Sequence, residues 1–146
     1  MDTDDNYVIK SEVIDLVNSS KSCQPWADHP TGTYIAAGAF VDSQVILCGG
    51  TTPDKQLSND CHLIAPKSSE AIVSLNVGST YSAAAEINGR VLVAGGWSNG
   101  GIKRTELISI NQVIPGADLP HPIDHHCIIK FNNEDILLTG GAGSNG

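Results

Sequence analysis

The sequence predicts an all-β protein, a partial β-propeller of about three four-stranded antiparallel blades. Three observations carry this. First, one stretch occurs three times, at 34–50, 81–96 and 125–141, each an apolar strand, a polar turn and a second apolar run ending in Gly-Gly. Second, the doublets keep a fixed period: Gly49 to Gly95 is 46 residues and Gly95 to Gly140 is 45. A recurrence of that length marks a repeated supersecondary unit. Third, no apolar face recurs at helical spacing, whereas short strands alternate with turn residues throughout. A four-stranded unit every 45 residues or so is the pattern of a propeller blade.

Taken in order, residues 1–7 read as a disordered, acidic end. Residues 8–30 read as the outer strands of a preceding blade. The strand there is Glu12–Leu16, followed by the polar turn Asn18-Ser19-Ser20, where Asn18 is also a glycosylation candidate. Residues 34–77 form a blade. Its strands end at Phe40, span Val45–Cys48, and then run over 61–64 and 71–75. Small residues Ala36, Ala37, Gly38 and Ala39 suit the slim innermost strand of a tapering unit. Residues 81–117 form the next blade, with Ala83–Ala85 innermost, a strand ending at Ile87, then 91–94, 105–110 and a short 112–114. Residues 125–146 give the first half of a further blade, with strands ending at Phe131 and covering Ile136–Thr139. His125 falls in the slot of Tyr34 and Tyr81. At each doublet, glycine admits positive φ and close backbone approach.

Lys+Arg number 8 and Asp+Glu 16, a formal charge of −8. That opposes binding to nucleic acid, which needs a basic face, and to anionic membranes. No apolar run approaches the roughly 20 residues of a membrane helix. The start, Met-Asp-Thr-Asp-Asp-Asn, lacks the basic and apolar regions of a secretory signal. The chain is therefore expected to begin in the cytosol, or to lack its parent's true start.

Of four cysteines, none forms a Cys-x-x-Cys pair, so no zinc knuckle is expected. Cys48 and Cys61 flank the first doublet and its loop. If the flanks are neighbouring strands, the two side chains meet. A disulfide in an oxidising compartment and two buried thiols both remain open.

The endings Val-Ile-Leu-Cys-Gly-Gly, Val-Leu-Val-Ala-Gly-Gly and Ile-Leu-Leu-Thr-Gly-Gly resemble the kelch repeat family. So do the third-strand stretches Glu12–Asp15 and Thr105–Ile108, and Trp26 just before the next blade. Neither Gly-His nor Trp-Asp marks any unit, which separates it from WD repeats. Only the first linker keeps a tryptophan. The cysteines at 23, 48, 61 and 127 look like those of cysteine-bearing animal kelch proteins, several of them extracellular. The resemblance implies a non-catalytic protein-interaction module with no cofactor. It leaves the compartment unknown, with a lean towards extracellular. The alternative is the propeller of an extracellular enzyme such as a copper radical oxidase.

About three units cannot close a ring that takes typically 4–8 blades. The chain is thus expected to be a fragment whose partners include the remaining blades of its parent. Closure by self-association is the other route.

Two temptations are set aside. Asp124-His125-His126-Cys127 spells the signature of protein palmitoyltransferases without its cysteine-rich, membrane-flanked context. His29, His121, His125 and His126 could bind metal only if ligands converged from several blades, and no metal or catalytic residue is assigned. The rim loops 51–59, 97–103 and 142–146 are the candidate contact surface, with Trp97 the candidate anchor for a protein partner.

Overall fold

Two-residue hairpin turns set the strand pairs. Asp42 and Ser43 (φ 48° and 66°), and Asn88 and Gly89 (φ 50° and 72°), are all left-handed, the geometry whose twist matches that of paired strands. The computed structural model describes residues 9–17 and 23–143. The expected disordered end and the Asn18 sequon lie outside them.

Strand β1 (Glu12–Val13) pairs antiparallel with β2 (Gln24–Pro25). Four strands follow, β3 (Ala37–Val41), β4 (Gln44–Cys48), β5 (Asp60–Ile64) and β6 (Ser69–Ser74), forming one sheet in that order. The next sheet repeats the plan with β7 (Ala83–Ile87), β8 (Arg90–Ala94), β9 (Thr105–Ser109) and β10 (Gln112–Pro115). Last, β11 (Ile123–Lys130) pairs with β12 (Ile136–Gly143). Among the described residues there is no helix. The first strands β3, β7 and β11 lie side by side.

Register fixes which residues correspond. Ala37 faces Cys48, Ala83 faces Ala94 and Cys127 faces Thr139. Counting from these pairs, Ile35, Tyr81 and His125 are equivalent, so Tyr34 is one place short of the slot read from sequence. Likewise Val41, Ile87 and Phe131 correspond, and Phe40 matches Glu86 and Lys130. The slip arises because the first unit carries one more residue than the second between its tyrosine and its doublet. The strand expected over Glu12–Leu16 is limited to Glu12–Val13. Ile14, Leu16 and Val17 are exposed, and among the described residues none of them is paired in a strand.

Alternation puts one face of each sheet against its neighbour. Ile46, Cys48, Cys61 and Leu63 of the first sheet pack on Val91, Val93 and Ile108 of the second. Ala85, Leu92 and Ala94 on the second sheet's far face pack on Ile128 and Leu138. Burial of such side chains stabilises by about 1.5–3 kcal/mol each.

Polar latches reinforce this packing at one repeat position. His62 on β5 and Glu106 on β9 occupy equivalent places, opposite Leu47 and Val93, and both are buried. The Glu106 carboxylate accepts from the backbone N–H and the side-chain amide of Asn76. His62 instead meets His29 edge to face, with ring centroids 4.7 Å apart. The His29 Nδ1 accepts from the backbone of Gly32 at 3.0 Å and of Thr31 at 3.3 Å. Those bonds require an unprotonated nitrogen.

Burial lowers the pKa of His29, and the neighbouring His62 lowers it further. Burial also lowers that of His62, against an opposing pull from Asp60. His126 is lowered by burial too, opposed by Asp124. The unfolded chain takes up these protons near pH 6.5, while the folded chain resists until lower pH. Stability is therefore full above that value and is lost as the pH falls from 6.5 towards the folded pKa values. The urea midpoint is expected to be lower at pH 5.5 than at pH 7.5. His29→Leu should flatten that slope; an unchanged slope would refute the assignment.

Candidate partner-binding rim

The glycine doublets build one end of the blades. All six doublet residues have positive φ, from 61° at Gly95 to 106° at Gly96. The first member extends its own sheet: Gly49 N donates to Asp60 O and Gly95 N to Arg104 O, both at 3.0 Å. The second reaches the next linker: Gly50 N donates to Ser79 O at 2.7 Å and Gly96 N to Ile123 O at 2.8 Å. A Cβ on Gly49 would sit 2.6 Å from Ser79 O, and one on Gly95 2.5 Å from Ile123 O. These two doublets thus stitch one blade to the following one through backbone contacts that no larger residue permits. Among the described residues, nothing lies within 4 Å of a Cβ placed on Gly140.

Beside these junctions the first strands are entered through three left-handed residues, Ile35 (φ 59°), Tyr81 (φ 58°) and His125 (φ 54°). Such φ values are costly for bulky side chains and recur where surrounding structure holds them. His125 N donates to Tyr81 O at 3.1 Å. Their rings stack with centroids 3.7 Å apart and planes inclined at 26°. The Asp124 carboxylate, largely buried, holds the exposed His125 ring through Nδ1. His126 is buried on the opposite side of the strand.

Trp97 directly follows the second doublet. Its backbone pairs with Thr80 and Gly101, and residue 97 is 42% exposed. The tight reversal Ser98–Gly100 is closed by Ser98 N donating to Gly100 O at 2.9 Å. Since Thr80 adjoins Tyr81, the backbone brings Trp97 to the end of the strand carrying the Tyr81–His125 stack. The loop 51–59 emerges from the first sheet in the equivalent way. There Thr52 Oγ1 accepts from Gln56 N at 3.2 Å and also contacts Asp54. Of the loop expected at 142–146, Ala142 and Gly143 instead end β12, paired with Asp124 and Ile123, and residues 144–146 lie outside the described residues.

Cys48 and Cys61 are joined as a disulfide, Cα atoms 4.1 Å apart. Gly49 N donates to Asp60 O in the adjoining pair, so Cys48 and Cys61 occupy a site without backbone hydrogen bonds, where strands approach most closely. Cys23 and Cys127 are free and exposed. Among the described residues no three His, Cys, Asp or Glu side chains come together as a metal site would need.

No family model matches the chain, and no curated protein matches it. Among solved structures, that of YjhT superposes with a TM-score of 0.79 over 94% of this chain at 14% identity. The chain folds as part of a β-propeller. It spans 46% of the length of the YjhT chain, and at that identity the likeness is one of fold.

The propeller end described here gathers residues that sequence reading had separated. Trp97 was legible as a tryptophan on a glycine-rich reversal. The Tyr81–His125 stack was half legible, since both were placed at strand starts, but their left-handed backbone leaves no mark on residue type. Glu106 and His62 left no signal at all, because one charged or ionisable residue in a strand reads as solvent-facing.

Proposed function

We propose that the chain is a kelch-type protein-interaction module whose propeller rim binds a protein partner. The supporting observation is Trp97, a half-exposed indole held on a reversal at the same strand end as the stacked Tyr81 and His125 rings. Rigid, amphipathic aromatic surface of this kind offers much contact area at low entropic cost. The propeller supplies the rigidity, since the doublets lock each rim segment to its neighbours. The formal charge of −8 favours a partner presenting basic side chains around an apolar centre.

The test is capture of partners on immobilised chain, comparing wild type with Trp97→Ala. Truncating an anchoring indole is expected to weaken binding by at least about tenfold, or 1.4 kcal/mol. The melting temperature should stay close to wild type, because the Trp97 side chain is not part of either apolar cluster. Equal capture by both proteins would remove this rim from consideration.

A further inference from the structure

The dipeptide Asn-Gly occurs twice among the described residues, at Asn88–Gly89 and Asn99–Gly100. A further pair, Asn145–Gly146, lies outside them. Both described pairs occupy tight reversals, where left-handed backbone favours these residue types. Both asparagines are exposed, with φ 50° at Asn88 and 53° at Asn99. Neither Gly89 nor Gly100 has an atom within 4 Å of an added Cβ. Exposure and crowding therefore do not tell the two pairs apart.

Their backbone hydrogen bonds do. The Gly89 N–H donates to Glu86 Oε1 at 2.9 Å. Glu86 is held in turn by Lys130, whose Nζ lies 2.6 Å from Oε2. The bond from Lys130 and that from Gly89 keep the Glu86 carboxyl below the usual carboxylate range. In the other reversal Trp97 pairs with Gly101, and Ser98 N donates to Gly100 O at 2.9 Å. The Gly100 N–H meets no acceptor among the described residues.

The difference bears on a reaction intrinsic to this dipeptide. The backbone nitrogen after an asparagine attacks the side-chain Cγ, and glycine, lacking a Cβ, allows the closest approach. The nitrogen first gives its proton to solvent base. The N–Cγ bond then forms, the Cγ–Nδ2 bond breaks, and the leaving amide takes up a proton and departs as ammonia. Water opens the resulting cyclic imide. Opening at Cγ gives aspartate; opening at the main-chain carbonyl gives isoaspartate, whose main chain runs through the side chain. In sum, asparagine and water give aspartate or isoaspartate and ammonia, with no oxidant or cofactor. A carboxylate that accepts from the same N–H holds its proton in place, and its charge opposes the amidate.

We propose that Asn99–Gly100 is a self-modifying site, where the folded chain converts Asn99 to aspartate and isoaspartate while Glu86 preserves Asn88. The product adds a carboxylate to the reversal that carries Trp97. In the isoaspartate form that reversal also gains a methylene in its main chain, which changes how the indole is presented. This effect on presentation rests on the partner-binding reading; the modification itself does not.

The test is ageing of the purified chain at mildly alkaline pH, folded and in urea. Peptide mapping follows the mass change of –NH2 to –OH and the paired aspartate and isoaspartate peaks. In the folded chain Asn99 is expected to convert about tenfold faster than Asn88, or more, as the loss of a hydrogen bond to a charged acceptor implies. In urea the two should convert at similar rates. Glu86→Ala should bring Asn88 towards the rate of Asn99. Glu86→Gln, which keeps an acceptor without the charge, should fall between. Equal rates in the folded chain, Asn99 intact when folded yet converted in urea, or a slow Asn88 in folded Glu86→Ala would each overturn the proposal. Partner capture separates it from the rim reading. Asn99 intact with capture lost in Trp97→Ala overturns this inference alone. Asn99 converted with capture unchanged in Trp97→Ala overturns the rim reading alone.

Discussion

Gly95→Ala is expected to destabilise the fold by about 2–5 kcal/mol. Two effects combine. A left-handed backbone, φ 61° at this residue, costs a residue with a Cβ about 1–2 kcal/mol. The added carbon would also meet Ile123 O at 2.5 Å and His126 Cε1 at 2.8 Å. The first is backbone and the second belongs to a buried ring, so neither yields cheaply, and forced displacement in packed structure costs about 1–3 kcal/mol more. Moving Ile123 also loosens the hydrogen bond from Gly96 N. Gly89→Ala is the control. It has a similar φ, 72°, with nothing within 4 Å of the new atom, and should cost only about 1–2 kcal/mol. Urea denaturation of the two variants separates conformational cost from stitching cost. Equal shifts would mean that the doublet's contact with the next linker contributes nothing. Against a total stability of about 5–15 kcal/mol, the expected loss leaves Gly95→Ala close to unfolding.

Breaking the Cys48–Cys61 bond is expected to cost about 2–4 kcal/mol. The bond closes a loop with a sequence separation of 13, and its main effect is to limit the unfolded chain. The sulfurs sit among the side chains that join the first full sheet to the second. A reductant therefore reaches them only when that junction opens. Two thiols, Cys23 and Cys127, should react at once in the native monomer. Four should react only after reduction in denaturant, and the melting transition should then fall. The paired variant Cys48→Ala, Cys61→Ala should reproduce the loss without reductant. Rapid labelling of all four cysteines before reduction would show that the bond is absent.

Much of the architecture was legible because its determinants are local. Period-two apolar runs, two-residue turns such as Asn88-Gly89 and the recurring doublets each declare themselves over a few residues. The slip at Tyr34 shows the limit. Two tyrosines at similar positions invited alignment, yet strand register is set by the facing pairs Ala37–Cys48 and Ala83–Ala94. A single extra residue before the doublet is invisible until those pairs are known. The disulfide was left open for the same reason, since it depends on adjacency between β4 and β5. The exposed Ile14 and Leu16 were read as strand because apolar alternation does not show which residues find a facing partner. At the rim, Trp97 was accessible from residue type and turn context, whereas its proximity to Tyr81 and His125 depends on the bridge from Trp97 to Thr80.

The unlike latches at His62 and Glu106 give the blades an order. If the repeats were interchangeable, the same pair of residues would serve each seam. Instead one seam joins two imidazoles, and the next joins a carboxylate to an amide. Transposing the segments 34–77 and 81–117 would take His62 away from the His29 ring it packs against and would part the Glu106 carboxylate from Asn76. Sequential identity is thereby written into the seams, and a rearranged chain would break both pairings.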